Sequence, residues 1–388
     1  MDAPSTHSLP FAYLNMAGAG PVSDAVLKTT STYLKIEQSV GAYDTELDHS
    51  ADLDERIYNL LARLLQCERE DVAIFDNATR AWIEVVSRVP LAAAKRVLTT
   101  EYEYAGNLQY LLALAEKHGL ELVTIPCDAT GDIDLRWLRE NMSEDVGLIS
   151  VVQIPSCCGI VNPVEEIGEV VRDFPAAFIV DACQAVGQVD INVSAIGCDA
   201  LTGAGRKFLC GPRGTGFAYV SSELRQKMTA GFVDLHLSDI KHDGRVEKDL
   251  STARFLETAE RNCGAILGLA TAVEELLGCD ARRTDGLDMI RRELSALEGI
   301  TAIDPGRNRG GIFSFRHETM KAADVVAQLR ENGVAGWKIK GSHTPLYMLP
   351  NGHVEAVRLS SNKITLDEAA RALKVLIPLL SDSTVSAE

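Results

Sequence analysis

Apolar and polar positions follow two rhythms along this chain. Short apolar runs end on turn residues, while longer stretches repeat apolar residues at helical spacing. Val72–Phe75, Arg96–Thr100, 122–125, Val146–Val152 and 176–180 are of the first kind and read as strands. Helical patterns at 107–118, 135–141 and 163–173 lie between the later ones. Strands alternating with helices predict an α/β domain whose mostly parallel sheet is covered on both faces.

Ahead of this block, residues 1–10 read as a loose tail. The stretch 13–23 reads as a short strand, a glycine-rich turn and the start of a helix over 24–39, with Pro21 near its first turn. In 52–65, Leu53, Ile57, Leu60, Leu61 and Leu64 share one helical face and the charges another, which predicts a surface helix. Past Gly264 the character changes. Helices over 265–277, 284–296, 322–332 and 365–380 alternate with strands at 311–315 and 356–359, as in a smaller α+β domain. Three units are therefore expected: an N-terminal arm (1–20), a large domain (21–263) and a small C-terminal domain (264–388). The closing DSTVSAE reads as disordered.

Composition narrows the function. A hydrophobic share of 46% with 24% charged residues is ordinary for a soluble globular enzyme, and 388 residues suffice for two domains. The net charge of −17 would repel nucleic acid and anionic membranes, so neither is an expected partner. A locally positive pocket for an anionic cofactor remains compatible with it. No run approaches the length of a transmembrane span, and MDAPSTHSLP lacks a basic leader region, so the cytoplasm is the expected compartment. Nine cysteines without paired CxxC units suggest a reducing compartment and no metal site. Cys157-Cys158 reads as buried packing or as a reactive pair.

The apolar run 176–180 ends on Asp181, which puts a carboxylate at the sheet edge where open α/β folds bind ligands. Such a group is costly unless a cation or donor meets it. Lys207 follows, beside Arg206 and among glycines, and Gly211 to Gly216 then turn into the run 217–220. A lysine between two strands, facing a strand-end aspartate, suits pyridoxal 5′-phosphate. The amine condenses with the cofactor's aldehyde, and the aspartate keeps the ring nitrogen protonated. Taken singly, Asp181 is a loop cap and Lys207 a solvated charge. Asp76-Asn-Ala-Thr79, opening a helix after a strand, is a ready anion site, with Asn77 or Thr79 as its cap.

DACQAVGQ and LTGAGRKFLCGPRGTGFAYV resemble the lysine region of the class V aminotransferase family, specifically its cysteine desulfurase, isopenicillin N epimerase-like and cysteine-conjugate C–S lyase branch. The resemblance implies a fold-type I enzyme with pyridoxal 5′-phosphate on Lys207, acting on an amino acid as a homodimer with shared sites. Asp181 would meet the ring nitrogen, and Gln184, with Ser156, the phenolic oxygen. Tyr104 would stack on the ring, with Tyr102 as the alternative. Ala78 and Thr79 would hold the phosphate, helped by Arg206, which stands where relatives carry a histidine. Ala204 replaces a hydroxyl residue there. Thr258 would reach a neighbouring subunit's phosphate, although its segment also reads as an ordinary salt-bridged turn.

Val357-Arg-Leu-Ser360 matches the strand whose arginine grips the substrate carboxylate, assigning that role to Arg358. Asn15, Ala17, Gly18 and His343 would line the substrate mouth. In Lys340-Gly-Ser-His-Thr-Pro345, Thr344 occupies the position of the desulfurases' sulfur-accepting cysteine, and a hydroxyl cannot form a persulfide. The expected reaction is therefore β-elimination from an S-substituted cysteine. The alternatives are decarboxylation-coupled oxidative deamination to an aldehyde, transamination or racemisation, and a non-catalytic relative. Antibiotic pathways that trim thiol–sugar conjugates use siblings of the first two kinds.

Overall fold

The computed structural model describes residues 10–229, 231, 234, 238–279 and 284–381. The tail at 1–9 and the DSTVSAE terminus lie outside them. Seven strands form the large sheet: β1 (Val72–Phe75), β2 (Arg96–Thr100), β3 (Glu121–Ile125), β4 (Val146–Val152), β5 (Ala177–Asp181), β6 (Ala200–Ala204) and β7 (Gly216–Val220). Their spatial order is β1-β7-β6-β5-β4-β2-β3, and β7 alone runs antiparallel to its neighbours. The mostly parallel sheet is thus present.

Near-continuous apolar runs form these strands because both faces are buried. Phe178 and Val180 of β5 pack into one core, and Ala177 and Ile179 into the core on the opposite face. The main helices of this domain are α1 (Asp24–Val40), α2 (Ile57–Leu65), α3 (Ala78–Val86), α4 (Ala105–His118) and α5 (Cys263–Leu277). Ser23 caps α1, its Oγ accepting from the Val26 N–H at 3.1 Å.

One expectation gains detail and another changes. The segment 52–65 opens with a π-helical turn over Asp52–Arg56 before α2; Leu53, Ile57, Leu60, Leu61 and Leu64 are buried while Glu55, Asn59 and Arg63 are exposed, as the one-sided apolar pattern implies. It lies beneath α5, whose Ile266, Leu269, Ala270 and Val273 join the large domain's core. The apolar helix that the composition change assigned to the small domain is therefore a wall of the large one. Its apolar face is wide enough to serve either domain, and only packing against α1 and α2 decides.

The small domain has a four-stranded antiparallel sheet of β8 (Ile300–Ile303), β9 (Ile312–His317), β10 (Trp337–Lys340) and β11 (Glu355–Ser360) in the order β8-β9-β11-β10. Helices 285–295, 322–331 and 366–381 complete its separate core. The N-terminal arm clips the two domains together. Its Leu14 carbonyl accepts from the Ser360 N–H at 2.8 Å, and its Gly20 N–H donates to the Arg206 carbonyl at 2.8 Å. Gly20 is required there, since a Cβ would lie 2.5 Å from the Lys207 carbonyl oxygen.

Candidate active site

Parallel strands send their carboxyl ends to one edge of the sheet, and the loops leaving that edge build the site. A cavity of about 260 Å³ opens there, lined by residues from the loops after β1, β2, β4, β5 and β6, from the turn before β7, from the arm and from the small domain. Of the residues expected from sequence, Lys207, Asp181, Tyr104, Ala78, Thr79, Gln184, Arg206, Ser156, Arg358, Ala17, Gly18 and His343 all line it.

Two do not. Asn15 belongs to the arm but is not part of the cavity lining, its Oδ1 lying within 2.7 Å of where a Gly18 Cβ would stand. Thr258 lines a different, larger cleft of about 530 Å³ with Glu46, Asp54, Glu257 and Arg261, and its hydroxyl donates to the Glu260 carbonyl at 3.1 Å. Among the described residues lining that cleft there is no lysine. A role for Thr258 toward a phosphate requires a second subunit.

Asp181 is 6% exposed at the end of β5. Its Oδ1 accepts from the Cys183 N–H at 2.9 Å, and its Oδ2 from Asn107 Nδ2 at 2.9 Å. Asn107 was not among the expected site residues. It sits in the first turns of α4, and its Nδ2 also donates to Glu103 Oε1 at 3.0 Å. Tyr104 occupies the N-cap position of α4 and faces the cavity. Tyr102 is fully buried, with its hydroxyl on the Gly131 carbonyl at 2.5 Å, so Tyr104 is the ring available for stacking.

Lys207 follows β6 in a loop held by the arm. Burial pushes its amine's pKa below the ordinary lysine value, with Arg206 and Arg358 adding to the effect and Cys183 and Asp181 opposing it. Burial, then Arg213, likewise lowers Arg206, whose guanidinium donates to the Gly18 carbonyl. Arg358 on β11 is 5% exposed, and its Nη1 donates to the Ser156 carbonyl at 2.9 Å. Its buried Nε has no partner, and no carboxylate of the described residues lies within ion-pair distance. A guanidinium in that condition awaits an anion.

The cavity fits pyridoxal 5′-phosphate on observations of this chain alone. Asn77 caps α3 by accepting from the Arg80 N–H at 2.9 Å, leaving the first-turn N–H groups of Ala78 and Thr79 without intrahelical acceptors at the cavity wall. β7 passes so close beneath this helix end that a Cβ on Gly216 would lie 2.4 Å from the Asn77 carbonyl carbon. Gln184 donates to the Ala17 carbonyl at 3.2 Å and keeps a second N–H and an unpartnered Oε1. Anion donors, a buried lysine and a pinned aspartate thus face one space.

A family model for Aminotransferase class-V matches residues 12–367. The chain belongs to that family. Similar proteins include a probable cysteine desulfurase of Methanothermobacter thermautotrophicus, 28% identical over 85% of this chain and 84% of that protein. Another, from Synechocystis sp., is 30% identical over 96% of this chain and 92% of its own length. Among solved structures, the cystine C–S lyase C-DES in complex with its reaction product cysteine persulfide superposes with a TM-score of 0.82. It is 19% identical, and the match covers 96% of this chain and 97% of that one. The architecture of this chain is that of fold-type I pyridoxal-phosphate enzymes. Among the described residues no helix is long and apolar enough to cross a membrane, and no cluster of metal-ligating side chains occurs.

Proposed function

We propose that this class-V enzyme uses pyridoxal 5′-phosphate to break the Cβ–S bond of an S-substituted cysteine by β-elimination. The supporting observation is the state of the thiols around the cavity. Among the described lining residues only Cys183 carries one, and burial, then the charge of Asp181, hold its pKa well above the ordinary thiol value. Thr344, standing where desulfurases carry their acceptor, is fully buried. Cys157, whose thiol pKa is raised by burial but brought below the ordinary value by its contacts with Cys158 and Thr344 and by the Arg358 charge, is buried outside the lining. Sulfur leaving the substrate thus meets no accessible protein thiolate and departs with its own substituent.

Bound at the site, the cofactor supplies an electron sink for charge released at Cα. Arg358 orients the substrate through its carboxylate, and Asp181 holds a proton at the ring nitrogen. Lys207, favoured as a neutral amine by its burial, takes the Cα proton. The Cα–H and Cβ–S bonds break, the thiolate takes a proton, and one water converts the three-carbon fragment to pyruvate and ammonium. C-DES offers a parallel, since cystine is itself an S-substituted cysteine and the sulfur leaves it as cysteine persulfide, still carrying its own substituent.

The names of the relatives favour a second reading, removal of sulfur from free cysteine to leave alanine. Product analysis separates the two. Holoenzyme given S-substituted cysteines should yield equal amounts of thiol, pyruvate and ammonium, with no alanine from free cysteine. Alanine and a protein persulfide would establish the second reading. Carbon dioxide release, oxygen uptake and an aldehyde retaining its C–S bond would establish oxidative decarboxylation.

A further inference from the structure

Beneath the cavity lies a carboxyl group that the reaction above does not use. Glu103 is fully buried, and four donors converge on it. Thr99 Oγ1 at 2.9 Å and Ser150 Oγ at 2.7 Å donate to Oε2. The Tyr104 N–H at 2.8 Å and Asn107 Nδ2 at 3.0 Å donate to Oε1. Burying an acidic group in a catalytic domain is costly, and here burial, with the Asp181 charge adding, pushes its pKa up to about 7.

The geometry gives the group a task. A side-chain amide has a soft, roughly two-fold terminal torsion, so Asn107 could present either its NH2 or its carbonyl oxygen. The Tyr104 backbone N–H cannot turn, so the atom it meets, Glu103 Oε1, must be an acceptor. An acceptor at that place requires Asn107 to present its NH2. The second proton of the same NH2 then reaches Asp181 Oδ2 at 2.9 Å, while the Cys183 N–H holds Oδ1. Had the amide turned, its oxygen would face both carboxylates at contact distance. The orientation of Asp181 is thereby traced, through Asn107 and Glu103, to the backbone at Tyr104, the residue whose ring faces the cofactor space.

We propose that Glu103 is a positioning residue: by fixing Asn107 it holds the Asp181 carboxylate in the orientation that meets the cofactor's ring nitrogen. This rests on the reading that Asp181 faces that nitrogen. The test is the affinity of the apo-protein for pyridoxal 5′-phosphate, followed by fluorescence titration. Glu103→Ala should weaken binding about tenfold, the scale of one charge-assisted hydrogen bond. Glu103→Gln should stay within about twofold of wild type. Its carbonyl oxygen replaces Oε1, and its NH2 faces two hydroxyls able to turn and accept.

In an Asp181→Ala background, Glu103→Ala should weaken binding no further, because its line to the cofactor runs through Asp181. A purely structural role would persist in that background. Should Glu103→Ala not fold, Asn107→Leu carries the same expectation. Wild-type affinity in Glu103→Ala, an undiminished loss in the Asp181→Ala background, or a Gln variant as impaired as Ala would each overturn the proposal. If Asp181→Ala alone left cofactor binding and its visible spectrum unchanged, the reading of Asp181 itself would fall instead.

Discussion

Replacing Arg358 with methionine should remove substrate affinity and leave stability intact. The guanidinium is 5% exposed, holds one hydrogen bond to a carbonyl, and has no carboxylate partner among the described residues. Burial pushes its pKa from 12.5 to about 10, with Cys157 opposing and Arg206 adding. At about 1.4 kcal/mol per pKa unit, holding this charge without an anion costs about 3 kcal/mol. A substrate carboxylate seated bidentately on the guanidinium would relieve that cost, which corresponds to about a hundredfold in Kd. Spectral titration of the holoenzyme with an S-substituted cysteine and with its decarboxylated amine measures this directly. Wild type should prefer the acid by about a hundredfold, and Arg358→Met should bind the two equally. The variant should melt no lower than wild type, because an apolar side chain replaces an unpaired buried charge. The reasoning is refuted if Arg358→Met binds the acid within threefold of wild type, or if acid and amine lose affinity alike.

Gly216→Ala should release the cofactor, since the new Cβ would press on the Asn77 and Ala78 backbone at 2.4 and 2.5 Å, exactly where α3 presents its N–H groups; dialysis followed by absorbance should find at least about a tenfold loss of affinity. Glu103 predicts a pH dependence of apo-protein stability. The native carboxyl keeps its proton to about pH 7, whereas the unfolded chain releases it near 4.5, so its contribution is full below about 4.5 and is lost as pH rises through about 7. That loss is about 3 kcal/mol, and Glu103→Gln escapes it. Melting temperatures between pH 4.5 and 8 should therefore move in the variant's favour by a few degrees, and parallel curves would exclude a titrating Glu103.

The residues that line the candidate site were largely legible in the chain, several because they follow from a local rule. A strand buried on both faces reads as an apolar run, and its last residue must emerge at the sheet edge. That is why Asp181 at the end of β5, Lys207 after β6 and Asn77–Thr79 after β1 all reach one cavity. Arg358 stood out only through the resemblance of Val357-Arg-Leu-Ser360 to a family motif, and the fold brings it to the same cavity. Local pattern could not choose between Tyr102 and Tyr104, two positions apart in the turn that follows β2. The start of α4 at Ala105 and the burial of Tyr102 against Gly131 make that choice.

What the sequence by itself determined, then, is the alternation of strands and helices, and with it the edge where charged and reactive side chains gather. The tertiary structure alone decided which of those side chains hold one another. Asn107 meets Asp181 across 74 residues and Ser150 meets Glu103 across 47, distances over which no periodicity carries information. These contacts depend on the register of neighbouring strands and on which helix covers which face. The same holds for α5, whose apolar residues suit either domain until α1 and α2 pack against it. It holds again for the arm, which joins Ser360 to the Lys207 loop only because the two domains close on it. Burial requires every polar group to find a partner, but it is the folded chain that brings the partner within reach.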